Sequence, residues 1–257
     1  MHGTEPRISN LEKIMQTLVV ILIISLIATV CLGIYSLLSY EKAHPIIEQT
    51  ATTYKYVEED DWYLFSSNKN NDTIAIFFYA EPRIDEKSYF YLANMLQRKG
   101  YDVFIARSLF HQPLFSWSLV NKAMAAYPNY QAWYLGGHGN GNVATSRYLL
   151  SDTTGKIAGS FYFGEVPEEQ VISLQKPLFV LLGQNDGVFD WANYDGERHK
   201  YFVPNLELQI IEGGNHTNFG YYSLDGYDNV GALSPKEQQD IVSQRLDQFI
   251  KRIEKTG

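Results

Sequence analysis

AWYLGGHGNGNVATSRYLL, residues 132–150, runs from an apolar segment (132–137) through a loop of glycines and polar residues, GGHGNGN (136–142), into a helix from about Asn142 to Leu150. A strand that ends in a glycine-rich loop and opens a helix is the repeating unit of a parallel sheet. Outward from it the same alternation continues. TIAIFFY (73–79), DVFIARS (102–108), KIAGSFYF (156–163), PLFVLLG (177–183) and LELQIIEG (206–213) read as strands, separated by helical stretches near 85–99, 116–126 and 193–201. Strands this apolar are buried on both faces, so the expected architecture is a mostly parallel sheet between two helical layers. YKYVEEDDWYLFSS (54–67) has aromatic alternation on both sides of an acidic tetrad, as in a hairpin. The last helix, Ser234 to about Ile253, opens with a capping serine, Pro235 and Glu237, the pattern of a capping box.

The chain has 257 residues, 45% of them hydrophobic and 19% charged, which excludes a disordered or collagen-like protein. Lys and Arg number 21 against 29 Asp and Glu, for a net charge of −8. Residues 1–40 contribute a balanced Glu5, Glu12, Arg7 and Lys13, so the excess of acid lies after Tyr40. Such a surface repels phosphate, and no nucleic-acid partner is expected. Cys31 is the single cysteine, which excludes an internal disulfide.

Residues 18–38, LVVILIISLIATVCLGIYSLL, carry no charge, and 21 residues at about 1.5 Å each match a bilayer core of about 30 Å. The run is too long for an ordinary signal-peptide core and no small-x-small site closes it, which favours an uncleaved anchor. Arg7 and Lys13 precede it and only Lys42 closely follows, so the expected topology is N-terminus inside and globular part outside the cell membrane. The division that follows is 1–17 inside, 18–38 anchor, 39–53 stalk and 54–257 globular domain.

Three strand-end loops carry the residues suited to chemistry: GGHGNGN (136–142), GQNDG (183–187) and GGNH (213–216). In a parallel sheet such loops converge beyond the carboxyl ends of the strands. Their residues and order resemble the α/β-hydrolase superfamily, in particular compact lidless members similar to dienelactone hydrolases. Those patterns run G-G-H-S-x-G-G, G-x-x-D-G and G-G-N-H, and the resemblance covers about residues 54–253. It implies a three-layer α/β-hydrolase fold, an ester or acyl hydrolase type of site and no cofactor. Asp186 would orient the imidazole of His216, the general base, and the N–H of Asn140 would be an oxyanion donor. Tyr79, Glu81, His138 and Tyr221 would border a small ester or acyl ligand.

Two departures stand out. Gly139 aligns with the nucleophilic serine, and glycine has no side chain with which to attack a carbonyl. Ser146 and Thr145 are too far along the helix to replace it. Where the family resembles Y-P-G-G, this chain reads Tyr79-Ala80-Glu81-Pro82, which puts a carboxylate near the expected oxyanion. The resemblance therefore implies a pseudo-hydrolase that retains Asp186 and His216, with an active hydrolase using water activated by His216, or a disabled copy of an active serine esterase, as the alternatives.

A different class is raised by Gly139-Asn140-Gly141-Asn142-Val143-Ala144, which fits G-x-G-x-x-A between strand and helix, with Glu165 about 20 residues on. The dinucleotide fingerprint normally opens its domain, though, and it accounts for neither GQNDG nor GGNH. His2, His44, His111, His138, His199 and His216 show no paired ligand spacing, so no metal is expected. No motif points to a protein partner.

Overall fold

The strands alternate their side chains between two helical layers, and the burial follows that alternation. A computed structural model describes residues 10–67, 73–224 and 226–256. Tyr40–Gly257 forms one compact unit, built on a sheet of eight strands among the described residues: β1 (Val57–Glu58), β2 (Trp62–Phe65), β3 (Ile74–Tyr79), β4 (Asp102–Ala106), β5 (Ala132–His138), β6 (Ile157–Phe163), β7 (Leu178–Gly183) and β8 (Leu206–Ile211). Their order is β1-β2-β4-β3-β5-β6-β7-β8. The 54–67 hairpin supplies the antiparallel edge, Glu58 facing Tyr63, and β2 also lies antiparallel to β4. All other neighbours are parallel.

On one face Phe77, Tyr79, Trp133, Leu135, Val180 and Leu182 pack against α4 (Leu119–Ala126), α5 (Asn142–Ser151), α6 (Glu169–Ile172) and α7 (Trp191–Glu197). On the other, Ile76, Phe78, Tyr134, Phe161, Phe179 and Leu181 pack against α3 (Phe90–Lys99) and α8 (Pro235–Thr256). Residues of opposite parity thus feed opposite cores, the period-two rule of a strand. Each large apolar side chain buried this way contributes about 1.5 to 3 kcal/mol. The capping box forms as read: Glu237 accepts from the Ser234 N–H at 2.8 Å, and Ser234 Oγ accepts from the Glu237 N–H.

Two elements differ from the sequence reading. Within the expected stalk, Pro45–Ala51 forms α2, and Ala43 and Ile47 are buried in the core on the α3 and α8 side. The isolated bridge between Glu41 and Ile84 and the bond from His44 N–H to the Tyr221 carbonyl tie this segment to the domain. A run of 15 residues with few apolar side chains reads as linker, yet two of them suffice to dock it. The short α6 has too few residues to show a helical period.

The other compact unit, Met1–Ser39, contains α1 (Asn10–Leu38). Its Asn10–Tyr35 portion, whose most apolar stretch of 18 residues has a mean hydropathy of 2.9, is long and apolar enough to cross a membrane. Thr17 and Thr29 donate to the carbonyls of Lys13 and Ser25, so these hydroxyls are satisfied within the helix. The helix starts before the apolar run, since Leu11, Ile14 and Met15 already suit it. Residues 1–9, with Glu5 and Arg7, lie outside the described residues.

Candidate functional site

The strand order reverses around β3, which lies between β4 and β5. Loops beyond the carboxyl ends of strands at such a point diverge and leave a crevice. Glu81 follows β3, Gly139 follows β5, Asp186 follows β7 and His216 follows β8. Gly141 lets the first two meet, because a Cβ there would collide with the Ala80 carbonyl. Gly139 itself has φ +50, a left-handed conformation that glycine adopts at little cost.

Asp186 and His216 form the pair read from the sequence. His216 Nδ1 lies 2.8 Å from Asp186 Oδ2, while Asp186 Oδ1 accepts from the N–H groups of Val188 at 2.9 Å and Phe189 at 2.8 Å. This buried carboxylate is held by three hydrogen bonds, which fixes the imidazole's orientation. The ring's other nitrogen has a partner that the sequence reading did not assign. His216 Nε2 lies 3.0 Å from Glu81 Oε2. A Cβ built on Gly139 would lie 2.5 Å from Glu81 Oε1 and 3.0 Å from His216 Nε2. The carboxylate thus fills the space that a side chain at 139 would need.

Charge follows from this arrangement. Burial alone would depress the pKa of His216, but hydrogen bonds to Asp186 and Glu81, reinforced by their charges, carry it from the ordinary 6.5 up to about 10. At neutral pH the ring is an imidazolium between two carboxylates. Wholly buried His138 goes the other way: desolvation, then the nearby charge of His216, push its pKa well down, so it is neutral. Its ring centroid is 4.4 Å from that of His216, and its Nδ1 lies 2.9 Å from the Tyr89 hydroxyl. Tyr89 also accepts the N–H of Glu81 at 3.2 Å. Glu81, His138 and His216 each offer a ligand atom within 4.8 Å of the others.

A cavity of about 260 Å³ opens beside these groups, lined by Gly139, Asn140, Glu165, Phe189, Tyr194 and His216 among others. Burial raises the pKa of Glu165, against the lowering effect of its bond from the Val166 N–H. Of the residues expected to border a ligand, Glu81 and His138 reach the site. Tyr79 does not, because its ring is fully buried in the core and its hydroxyl donates to the Trp117 carbonyl at 2.5 Å. Tyr221 packs edge-on against Tyr91, while its neighbour Tyr222 turns its hydroxyl to within 3.4 Å of Glu81 Oε2. Ser146 is engaged away from the elbow, 3.0 Å from the Tyr162 hydroxyl.

Tyr89, which the sequence reading assigns to packing on a helix, and Asp228, which it does not single out, are further residues of the site. Asp228 accepts from the N–H groups of Gly187 at 2.9 Å, His216 at 3.3 Å and Thr217 at 2.8 Å, joining the acid and base loops. It carried no local signal, being an acidic residue in a polar loop.

A parallel sheet covered on both faces, with a carboxylate–histidine pair on strand-end loops, defines a protein of the α/β-hydrolase class. The chain belongs to the alpha/beta hydrolase family, whose family model matches residues 75–240. Est1E from Butyrivibrio proteoclasticus is similar in structure, with a TM-score of 0.54 at 14% identity, covering 77% of this chain and 98% of that one. A soluble variant of monoglyceride lipase from Saccharomyces cerevisiae gives 0.53 at 11% identity, over 78% and 95% of the two chains. Carboxylesterase CesB (YbfK) from Bacillus subtilis gives 0.54 at 10%, over 79% and 95%. At such identities the likeness is one of fold. No curated protein sequence matches the chain.

Proposed function

We propose that this protein is a membrane-anchored pseudo-hydrolase of the ester or acyl hydrolase type, which binds a small ester or acyl ligand and does not turn it over by serine chemistry. In this reading Gly139 stands at the nucleophile position, α1 is the anchor, and the globular domain lies outside the membrane. The observation that carries the proposal is the Glu81 carboxylate seated between Gly139 and His216. It occupies the volume a nucleophile would need, and it helps to keep His216 protonated, so that Nε2 has no lone pair for general-base work at neutral pH. The same contact argues against water activated by His216. It also argues against the dinucleotide reading, since a pyrophosphate approaching the start of α5 would meet a carboxylate at the first glycine of the loop.

The test is reaction with a fluorophosphonate probe, which needs a hydroxyl next to a neutral base. The native chain and Gly139→Ser alone should both stay unlabelled, because Glu81 still holds the space and the proton. Gly139→Ser combined with Glu81→Gly should label, and adding His216→Ala should abolish it. Labelling of the native chain that survives His216→Ala would sink the proposal. For the anchor, residues 41–257 should be digested by protease added outside intact cells; a protected domain would reverse the topology.

A further inference from the structure

Glu81 and His216, from two loops, and His138, at the end of β5, come from places far apart in sequence to one point. Glu81 Oε2 lies 3.0 Å from His216 Nε2 and 3.5 Å from His138 Nδ1. Around a four-coordinate cation with bonds of about 2.0 to 2.1 Å, neighbouring donor atoms stand about 3.3 Å apart by tetrahedral geometry. The two measured edges bracket that separation. Two imidazoles and one carboxylate suit a borderline divalent cation such as Zn²⁺ and leave one position of the tetrahedron open.

The surroundings are also those of a metal site. A metal-ligating histidine commonly gives its other N–H to a carboxylate, which fixes the tautomer and the ring plane. Asp186 Oδ2 stands 2.8 Å from His216 Nδ1 in that role, its second oxygen fixed by two backbone N–H groups. His138 is wholly buried and held in place by packing against Phe219 and Tyr89. Gly139 adds no side chain to crowd the point, and with His216 it borders the cavity of about 260 Å³.

We propose that Glu81, His138 and His216 form a binding site for a divalent cation of the Zn²⁺ class. Without the cation, the Nε2–H of His216 bonds Glu81 Oε2, and the hydroxyl of Tyr89 lies 2.9 Å from His138 Nδ1. On binding, His216 Nε2 releases its proton to solvent and ligates through the freed lone pair, and His138 Nδ1 exchanges its contact with the Tyr89 hydroxyl for the metal. The open position would accept a ligand oxygen from the cavity. This goes beyond the ligand-binding role proposed above and stands independently of it, because zinc binding is measured without any ester present.

The full-length chain in detergent micelles, stripped by a chelator and titrated with zinc chloride in a calorimeter, should bind one equivalent. Glu81→Ala and His216→Ala, each checked for native circular dichroism, should weaken binding by at least about 100-fold, and Asp186→Asn by about 10 to 100-fold through the lost orientation of His216. His44→Ala and His199→Ala should leave it unchanged. Cobalt(II) in place of zinc should give the intense visible absorption of a four-coordinate centre. The proposal is overturned if the folded native chain takes up no zinc at about 100 µM, well above the range of protein zinc sites. It is equally overturned if one equivalent still binds after Glu81→Ala, or if the cobalt complex has the faint spectrum of an octahedral ion. His138 is left unaltered because its burial makes misfolding the expected outcome; Glu81→Ala and Asp186→Asn decide the matter without it.

Discussion

The acid and base loops after β7 and β8 and the two loops after β3 and β5 belong to one site but differ in how they resemble the hydrolase pattern. The first two keep GQNDG and GGNH, with Asp186 and His216 in hydrogen-bonded contact. In the proposed reading, the second two depart from it at Gly139 and at Glu81-Pro82. What the geometry adds is that the two departures are coupled. A side chain at 139 and the carboxylate at 81 exclude one another, as the 2.5 Å separation between Glu81 Oε1 and a Cβ at 139 shows. Under the proposed function, one group thus stands in the volume the other would need.

The largest effect that would break this comparison is catalytic. If the acid–base half is competent, ester turnover in Gly139→Ser with glycines at 81 and 82 should drop by about 10⁴ to 10⁶-fold on adding His216→Ala. Within that series, restoring glycines at 81 and 82 should raise turnover of Gly139→Ser by at least about 10² to 10³-fold, the scale of one oxyanion donor, since relief of the blocking carboxylate adds to it. Equal turnover with and without the glycines would show that the two departures are independent.

A smaller effect concerns stability. His216→Ala leaves the buried Asp186 carboxylate and the part-buried Glu81 carboxylate facing no positive charge, and urea unfolding should report a loss of about 3 to 5 kcal/mol. The ion pair also makes stability depend on pH. The pKa of His216 is higher in the folded protein, about 10, than its ordinary 6.5. Its contribution is therefore complete below pH 6.5 and disappears as pH rises through 10. Glu81→Gln removes one of the two charges that raise it, so the imidazole resonances of His216 should titrate at lower pH in that variant by NMR. An unchanged midpoint would uncouple Glu81 from the base.

The smallest effect is Tyr89→Phe. It removes the hydroxyl that accepts the Glu81 N–H and contacts His138 Nδ1. Leaving those groups unpaired should cost about 1 to 3 kcal/mol in the same unfolding assay. No loss would show that the Glu81 loop is positioned by Gly141 alone.

These couplings also explain what the sequence made legible. The strands were readable because each is a local apolar run, and Asp186 and His216 because their loops have local motifs. Glu81 could be seen as a charge near the expected oxyanion, but its reach to His216 spans 135 residues and depends on Gly141 admitting the Ala80 carbonyl. Tyr79 and Tyr221 misled for a related reason: adjacency along the chain does not fix the direction of a side chain. Tyr79 points into a core and Tyr222, not Tyr221, points toward Glu81. The docking of residues 41–51 rests on Ala43 and Ile47, too few to stand out from a linker. Tyr89 and Asp228 act through contacts between distant segments, which no local pattern announces.

Asp228 has a consequence for motion. One carboxylate gathers the N–H groups of Gly187, His216, Thr217 and Asn229, so either loop must break a bond to the same side chain to open. Amide hydrogen exchange at Gly187, His216 and Thr217 should then proceed with a common opening free energy, as a single cooperative unit. Charge neutralisation of Asp228 should release all three amides together, turning a rigid rim into a fluctuating one.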